Sequence, residues 1–422
     1  MPRPFLGYRC ALCGAEYAPT AITYICPHHG ESGNVDVVLD LATLRRIVTP
    51  AQIAASGDES LWRYAPLLPV ADPGHWRTPL RSAGWTPLYH ADRLARALGL
   101  TTLYVKDEGR NPTASFKDRA SAVVVARAQE IQAQVITTAS TGNAGAALAG
   151  MAAAVGQRAV IFAPHTAPPA KVAQLLMFGA TVLLVEGNYD QAFDLCSAAA
   201  REFGWYCRNT GYNPFTVEGK KTAAFEICEQ LHWHVPEAVF VSVGDGNIIT
   251  GLHKGFQDLL ALGWIERLPK LFGAQAAGSA ACANAWQTGA NTLTPVAAHT
   301  LADSISVDLP RDGLRAVRAV RDTQGAFVVV SDDALLAAMR ALARDLGVFA
   351  EPAGATAYAG LVAAVQKGLV LPDETIVVLN TGNGLKDIRA AQQAAGAATV
   401  IAPTLAAARA ALAQLPNPPG GV

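Results

Sequence analysis

From Thr86 to about Ala402 the chain alternates short apolar runs with longer amphipathic stretches. The short runs lie at Leu103–Lys106, Val135–Thr138, Ala159–Phe162, Thr181–Val185, Ala238–Val243, Leu271–Gln275, Phe327–Val330 and Thr375–Leu379. They read as strands, with helices filling most intervals between them. One interval is well framed: Pro168 and Pro169 open AKVAQLLMF and Gly179 closes it, which puts proline at a helix start and glycine just past its end. Strands alternating with helices of this length predict the α/β class, with parallel sheets covered on both faces. More than one sheet is expected, because a single core seldom grows this large. Upstream, a helix near Leu41–Ile47 leads into a Pro- and Trp-containing arm, Leu61 to Trp85. Residues 1–40 read as short, irregular and Cys/His-bearing, and Pro416 to Val422 as disordered. No internal repeat is visible.

A length of 422 residues suffices for two or three domains with a large core. Only 16% of residues are charged and the net charge is -1, so neither a nucleic acid nor an anionic membrane is an expected partner. The N-terminal MPRPFLGYRCALCG lacks a basic stretch followed by an apolar one, and every apolar run is broken by Gly, Pro or charge, so a cytoplasmic location is expected. Of seven cysteines, Cys196, Cys207, Cys228 and Cys282 sit in apolar surroundings and read as buried free thiols. The other three differ. Cys10-x2-Cys13 and Cys26-x2-His29 are two close pairs a dozen residues apart, the spacing of a small zinc ribbon, with His28 as an alternative ligand. So small a segment has little core, and a structural metal could supply its folding free energy.

Four segments carry candidate chemistry. In KDEGRNPTASFKDR (Lys106 to Arg119), Lys117 follows a turn-rich loop. A lysine becomes a nucleophile when burial or a nearby cation lowers its pKa, and Arg119 and Arg110 are the nearest cations in sequence. In Thr137–Gly145 a strand ends in small hydroxyls and Gly-Asn before an Ala-rich helix, which directs free N–H groups at a carboxylate or phosphate. In Val241–Ile248 a strand runs into Gly244-Asp245-Gly246-Asn247-Ile248 and then a helix, a phosphate cradle of backbone amides. Ile249 occupies the place of the third glycine of G-x-G-x-x-G, which disfavours a dinucleotide. In Val377–Asp387 another strand ends in Thr381 and glycines.

In order and spacing these segments resemble the fold type II family of pyridoxal phosphate (PLP) enzymes, the tryptophan synthase beta-like superfamily, and within it the threonine synthase branch. The resemblance runs from Trp62-Arg63-Tyr64 to Asp387 through Thr86-Pro87-Leu88, KDEGRNPTASFKDR, STGN, EGKKTAAFEI (Glu218–Ile227), VGDGNI, FAEPAGA (Phe349–Ala355) and NTGNGLKD. It implies two doubly wound parallel-sheet domains, a large PLP-binding one from 86–118 and 216–405 and a smaller one from 119–215. A zinc-ribbon-like segment (1–40), an arm (41–85) and a tail (406–422) complete the chain. The implied activity is conversion of O-phospho-L-homoserine and water to L-threonine and phosphate by a homodimer. The same-fold alternative is an ammonia-lyase or β-replacement enzyme acting on serine, threonine or O-phosphoserine. By resemblance Lys117 would hold the cofactor covalently and shuttle protons, Asn143 would bond the ring hydroxyl, and Phe116 would pack nearby. Gly244, Asp245, Gly246, Asn247 and Ile248 would hold the cofactor phosphate. Thr381 would face the ring nitrogen, a neutral partner suited to elimination and replacement more than transamination. Ser140 and Thr141 would hold the substrate carboxylate.

Several positions depart from the branch. The arginine expected in Asn-Pro-x-Arg to hold the substrate phosphate is Thr216, leaving Arg110, Lys171 or Lys220 as substitutes. The glycine expected before Ser-Phe-Lys is Ala114, the acid expected before Gly84 is Ala83, and Ala302-Asp303-Ser304-Ile305 is nearer the dehydratases.

Overall fold

The computed structural model describes residues 4–414, apart from Thr141 and Pro168 and the side chains of Glu31 and Ala170. All eight anticipated strands are present. In chain order the strands are β1 (Phe5–Cys10), β2 (Glu16–Tyr17), β3 (Val35–Leu39), β4 (Leu88–His90), β5 (Thr102–Asp107), β6 (Val135–Ala139), β7 (Arg158–Pro164), β8 (Thr181–Val185), β9 (Tyr206–Cys207), β10 (Ala238–Ser242), β11 (Lys270–Ala276), β12 (Phe327–Val330) and β13 (Thr375–Asn380). A six-stranded sheet has the order β12-β11-β10-β13-β5-β4 and a four-stranded sheet the order β8-β7-β6-β9. The chain enters the larger sheet, leaves it to build the smaller one between residues 135 and 207, and returns.

Two expectations need correction. The larger sheet is mixed: β4 pairs antiparallel with β5, Leu88 opposite Lys106. A three-residue edge strand with two exposed residues carries almost no apolar signal of its own. The described part of the N-terminal segment, 4–40, is more regular than expected. β1, β2 and β3 form an antiparallel sheet of order β2-β1-β3, in which Tyr8 and Cys10 are buried on either side of the exposed Arg9 and Val35, Val37 and Leu39 face the core. Where a tail over 406–422 is expected, the described residues include a helix over Leu405–Ala413 that has no buried residue. Pro416 to Val422 lie outside the described residues, as does Pro168. The helix expected there starts at Pro169 and runs to Met177. The expected Leu41–Ile47 helix is present, capped by Asp40, whose carboxylate accepts from Thr43 N at 3.0 Å.

Five helices position the chemistry: α1 (Lys117–Glu130), α2 (Asn143–Ala153), α3 (Phe215–Gln230), α4 (Asn247–Leu262) and α5 (Pro352–Gln366). Helix α3 is buried on every side from Phe215 to Glu229. Glycine permits this crowding. A Cβ on Gly219 would sit 2.1 Å from Arg119 O, and one on Gly255 would sit 2.4 Å from Lys221 O. Most of the charges that α3 buries are paired. Arg119, two residues past Lys117, donates to Glu108 and Glu226, and Lys106 reaches Glu226 at 2.8 Å, all with fully buried side chains. Breaking such a network costs about 3–5 kcal/mol, because it leaves a charge stranded away from water. The arm closes over α3 through Arg63, Tyr64 and Glu229, the Tyr64 hydroxyl donating to Glu229 at 2.5 Å. Among the described residues no helix is long and apolar enough to cross a membrane.

Candidate active site

The loop before α1 is held against the loop after β13. Phe116 N donates to Thr381 O at 2.9 Å, Ser115 bridges Gly382, and Asn383 N donates to Ala114 O at 3.1 Å. Lys117, the first residue of α1, is thereby set beside Thr381. One cavity is lined by Lys117, Thr381, the Gly244–Ile248 loop, Ser304, Ala353 and Thr210. Two segments more than 120 residues apart in the chain, which read separately as a lysine loop and a glycine turn, therefore face one space. Phe116 is fully buried beneath it.

Burial lowers the Lys117 pKa, and the Arg208 guanidinium lowers it further, to about 8, against the opposing pull of Asp245 and Glu351. Its place at the positive end of α1 acts in the same direction. The cation that depresses Lys117 is not one of its sequence neighbours. Arg119 turns away into the Glu108–Glu226 network, because residues two apart on a helix point to different faces. Arg110 is exposed and does not line the cavity.

The Gly244–Ile248 loop caps α4. Gly244 packs so tightly that a Cβ would lie 2.8 Å from Ile305 Cα, and Gly246 takes φ +89° with Ala316 Cβ and Asp312 O each 2.8 Å from where a Cβ would be. The loop therefore turns its amides and the first free N–H groups of α4 inward. The Asp245 and Asn247 side chains are bonded within the protein. Asp245 accepts from Arg311 N at 3.2 Å, and Asn247 donates to Asp312 at 2.6 Å while accepting from Lys220 and Thr216. Lys220 is fully buried behind the loop, and burial, Lys117 and Arg208 push its pKa well down.

Asn143 begins α2 and donates to Glu351 Oε1 at 2.7 Å, with Ser304 Oγ at 3.5 Å. Ser140 precedes it and accepts from Gly142 N at 3.2 Å; Thr141 lies outside the described residues. Lys171 is ion-paired with Asp303. Three groups that the sequence did not single out belong here. Arg208, just past β9, is fully buried, and its Nη2 has no hydrogen-bond partner. Its signal is poor, since β9 spans only two residues. Burial raises the Glu351 pKa to about 7 against Lys386, Asn143, Lys171 and Lys117, so this carboxyl holds a proton over part of the neutral range. Burial lowers Lys386.

These groups fit PLP. A lysine with a lowered pKa faces an amide-lined helix terminus that tolerates no Cβ, and an unpartnered buried guanidinium lies close by. At the other end of the chain Cys10, Cys13, Cys26 and His29 converge, their ligand atoms all within 4.8 Å of one another. The His29 Nδ1 lies 3.6 Å from Cys10 Sγ and 3.5 Å from Cys26 Sγ. Cys196, Cys207, Cys228 and Cys282 are buried and free, as anticipated.

The family model of pyridoxal-phosphate dependent enzymes matches residues 80–382. A threonine synthase of Methanocaldococcus jannaschii is 38% identical over 388 residues, 92% of this chain and 94% of that protein. One from Mycobacterium tuberculosis is 37% identical over 325 residues, 77% of this chain and 87% of that protein. Among solved structures, the processed form of threonine deaminase isoform 2 from Solanum lycopersicum superposes with TM-score 0.63 at 24% identity, covering 74% of this chain and 87% of that one. Diaminopropionate ammonia lyase from Escherichia coli does so with TM-score 0.63 at 21% identity, covering 73% and 86%.

Proposed function

We propose that this chain, which belongs to the threonine synthase family of the pyridoxal-phosphate dependent enzymes, is itself a threonine synthase converting O-phospho-L-homoserine and water to L-threonine and phosphate. The observation that carries the reading is the meeting of Lys117, the Gly244–Ile248 loop and Thr381 around one cavity, within a chain matched nearly end to end by such relatives.

When bound, PLP supplies the electron sink that lets a proton leave the substrate α carbon. The protein's part is placement and proton handling. The loop amides and the α4 terminus bind the cofactor phosphate, and Asn143 orients the ring. Thr381 offers the ring nitrogen a neutral hydroxyl, which favours loss of a group from the γ carbon over transamination. Lys117, with its pKa near 8, can take a proton and return it at neutral pH, and one amine can serve successive transfers along the substrate. Ser140 and the start of α2 suit the substrate carboxylate. Glu351, bonded to Asn143 and with a pKa near 7, is a second proton store.

The same reading includes a homodimer in the cytoplasm and a structural zinc ion held by Cys10, Cys13, Cys26 and His29, supported by the convergence of their ligand atoms. Product analysis separates the two same-fold readings. Release of threonine and phosphate from O-phospho-L-homoserine supports threonine synthase. A 2-oxo acid and ammonia formed from serine or threonine, with O-phospho-L-homoserine inert, would transfer the chain to the ammonia-lyases.

A further inference from the structure

A threonine synthase must hold three anionic groups at once: the cofactor phosphate, the substrate carboxylate and the substrate phosphate. Two seats are already accounted for, at the starts of α4 and α2. Each suits one anion, since the free N–H groups of a helix terminus converge on one point. The third has no seat at Thr216, which is fully buried and spends its hydroxyl on Asn213 O at 2.7 Å and on Asn247 Oδ1 at 3.2 Å.

Two buried cations beside the cavity lack a matching anion. Arg208 is fully buried. Its Nη1 donates to Thr210 Oγ1 at 2.7 Å and its Nε to Ser121 Oγ at 3.3 Å, while its Nη2 has no partner. Thr210 lines the cavity that contains Lys117. Lys220, one helical turn after Thr216 on α3, is also fully buried, and its Nζ donates to the neutral Asn247 Oδ1. Neither forms an ion pair among the described residues, whereas Arg119, Lys106, Lys221 and Arg315, also buried, all do. Of the nearby acids, Asp245 acts on both cations through space but ion-pairs with neither. Asp245 accepts from the backbone of Arg311, and Asp312 is bound to Arg315 and Asn247. Unmatched buried charge is costly, and it persists where a ligand supplies the counter-charge. Each is one contact from the cavity, Arg208 through Thr210 and Lys220 through Asn247, both of which line it.

We propose that Arg208 and Lys220 form the seat of the substrate's phosphate, the positive charge having moved one helical turn along α3 from Thr216 and been joined by a guanidinium from the end of β9. The proposal rests on the threonine synthase reading and names the residues that make a phosphate monoester its substrate. The cofactor phosphate shares that chemistry, so the test must separate the two.

The variants are Lys220→Gln and Arg208→Gln, assayed as holoenzymes. Each should raise the KM for O-phospho-L-homoserine roughly 10-fold to 100-fold, the usual effect of losing one charge-assisted contact, and weaken inhibition by inorganic phosphate to match. PLP affinity, read from visible absorbance on titrating the apoprotein, should change by less than about threefold, below the loss of a single charged contact. Thr216→Arg in a Lys220→Ala background should recover phosphate inhibition, which a merely destabilised fold would not do. Weakened PLP binding with phosphate inhibition intact would assign the pair to the cofactor and overturn the proposal, as would no change in either. If the wild type did not turn over O-phospho-L-homoserine, the threonine synthase reading would fail by itself. The phosphate-binding measurements on wild type and variants would still report on the seat.

Discussion

Lys117 should be a liability to the fold when no cofactor is attached, and removing it should stabilise the apoprotein. In the unfolded chain its amine titrates near 10.5, whereas burial and Arg208 hold it to about 8 in the folded protein. Below pH 8 both states carry the proton, and the folded state bears the full penalty of a charge in an unfavourable place. Between the two pKa values the penalty fades as the folded amine loses its proton first, and above 10.5 it is gone. At about 1.4 kcal/mol per pH unit, the gap is worth about 3.5 kcal/mol. Lys117→Met keeps most of the aliphatic stem and removes the charge. Urea denaturation of the two apoproteins should show the variant more stable by about 3.5 kcal/mol at pH 7, with the difference shrinking toward zero by about pH 10.5. A structural lysine would behave in the opposite way, its loss costing stability. If Lys117→Met were no more stable than wild type at pH 7, or kept the same advantage at pH 10.5, the account of a depressed catalytic amine would be wrong.

Other perturbations have equally definite outcomes. Burial raises Glu351 from 4.5 to about 7, so it stabilises the fold fully below pH 4.5 and loses that contribution as pH rises through 7. Relative to wild type, Glu351→Gln should therefore gain stability between pH 5 and 8, read by denaturant titration at each pH, and a flat difference would refute the raised carboxyl. Ala114 holds φ +64°, a left-handed conformation that suits the glycine expected there. Ala114→Gly should be stabilising by up to about 1 kcal/mol, because relief of αL strain exceeds the added unfolded-state entropy, and a lower melting temperature would contradict this. Metal analysis should find one zinc per chain, with His29→Ala losing it and melting earlier. A metal-free wild type of unchanged stability would remove zinc from the account. Arg119→Met strands Glu108 and leaves Glu226 with Lys106 alone, and should cost about 3–5 kcal/mol in unfolding measurements, although Arg119 does not face Lys117.

How much of this was legible in the sequence depended on whether the deciding contact was local. The eight expected strands were readable because each is a continuous apolar run bounded by turn residues, and packing buries most of that run in all but β8, an edge strand left largely exposed. β4, β9 and the N-terminal sheet were not, being edge or two- to six-residue strands whose pairing partners supply most of their definition. Lys117, Asn143, Thr381 and the Gly244–Ile248 loop could be named because each sits at a strand or helix end in a recognisable segment. Their electrostatic partners could not. Sequence proximity suggested Arg110 and Arg119 as the cations acting on Lys117, but the fold turns Arg119 into an ion network, leaves Arg110 in solvent and brings in Arg208 from 91 residues away. Glu351 lay within a noted segment, yet nothing local signals that its carboxyl would be buried against Asn143.

The central claim is that this site expels phosphate from the γ carbon and adds water at the β carbon. It is tested most directly by turnover of O-phospho-L-homoserine in 18O-labelled water with product mass spectrometry. Elimination breaks the carbon–oxygen bond, so the label should enter the hydroxyl of threonine, the released phosphate should remain unlabelled, and the two products should form in equal amounts. Label in phosphate with homoserine as the other product, or 2-oxobutyrate and ammonia in place of threonine, would contradict the account.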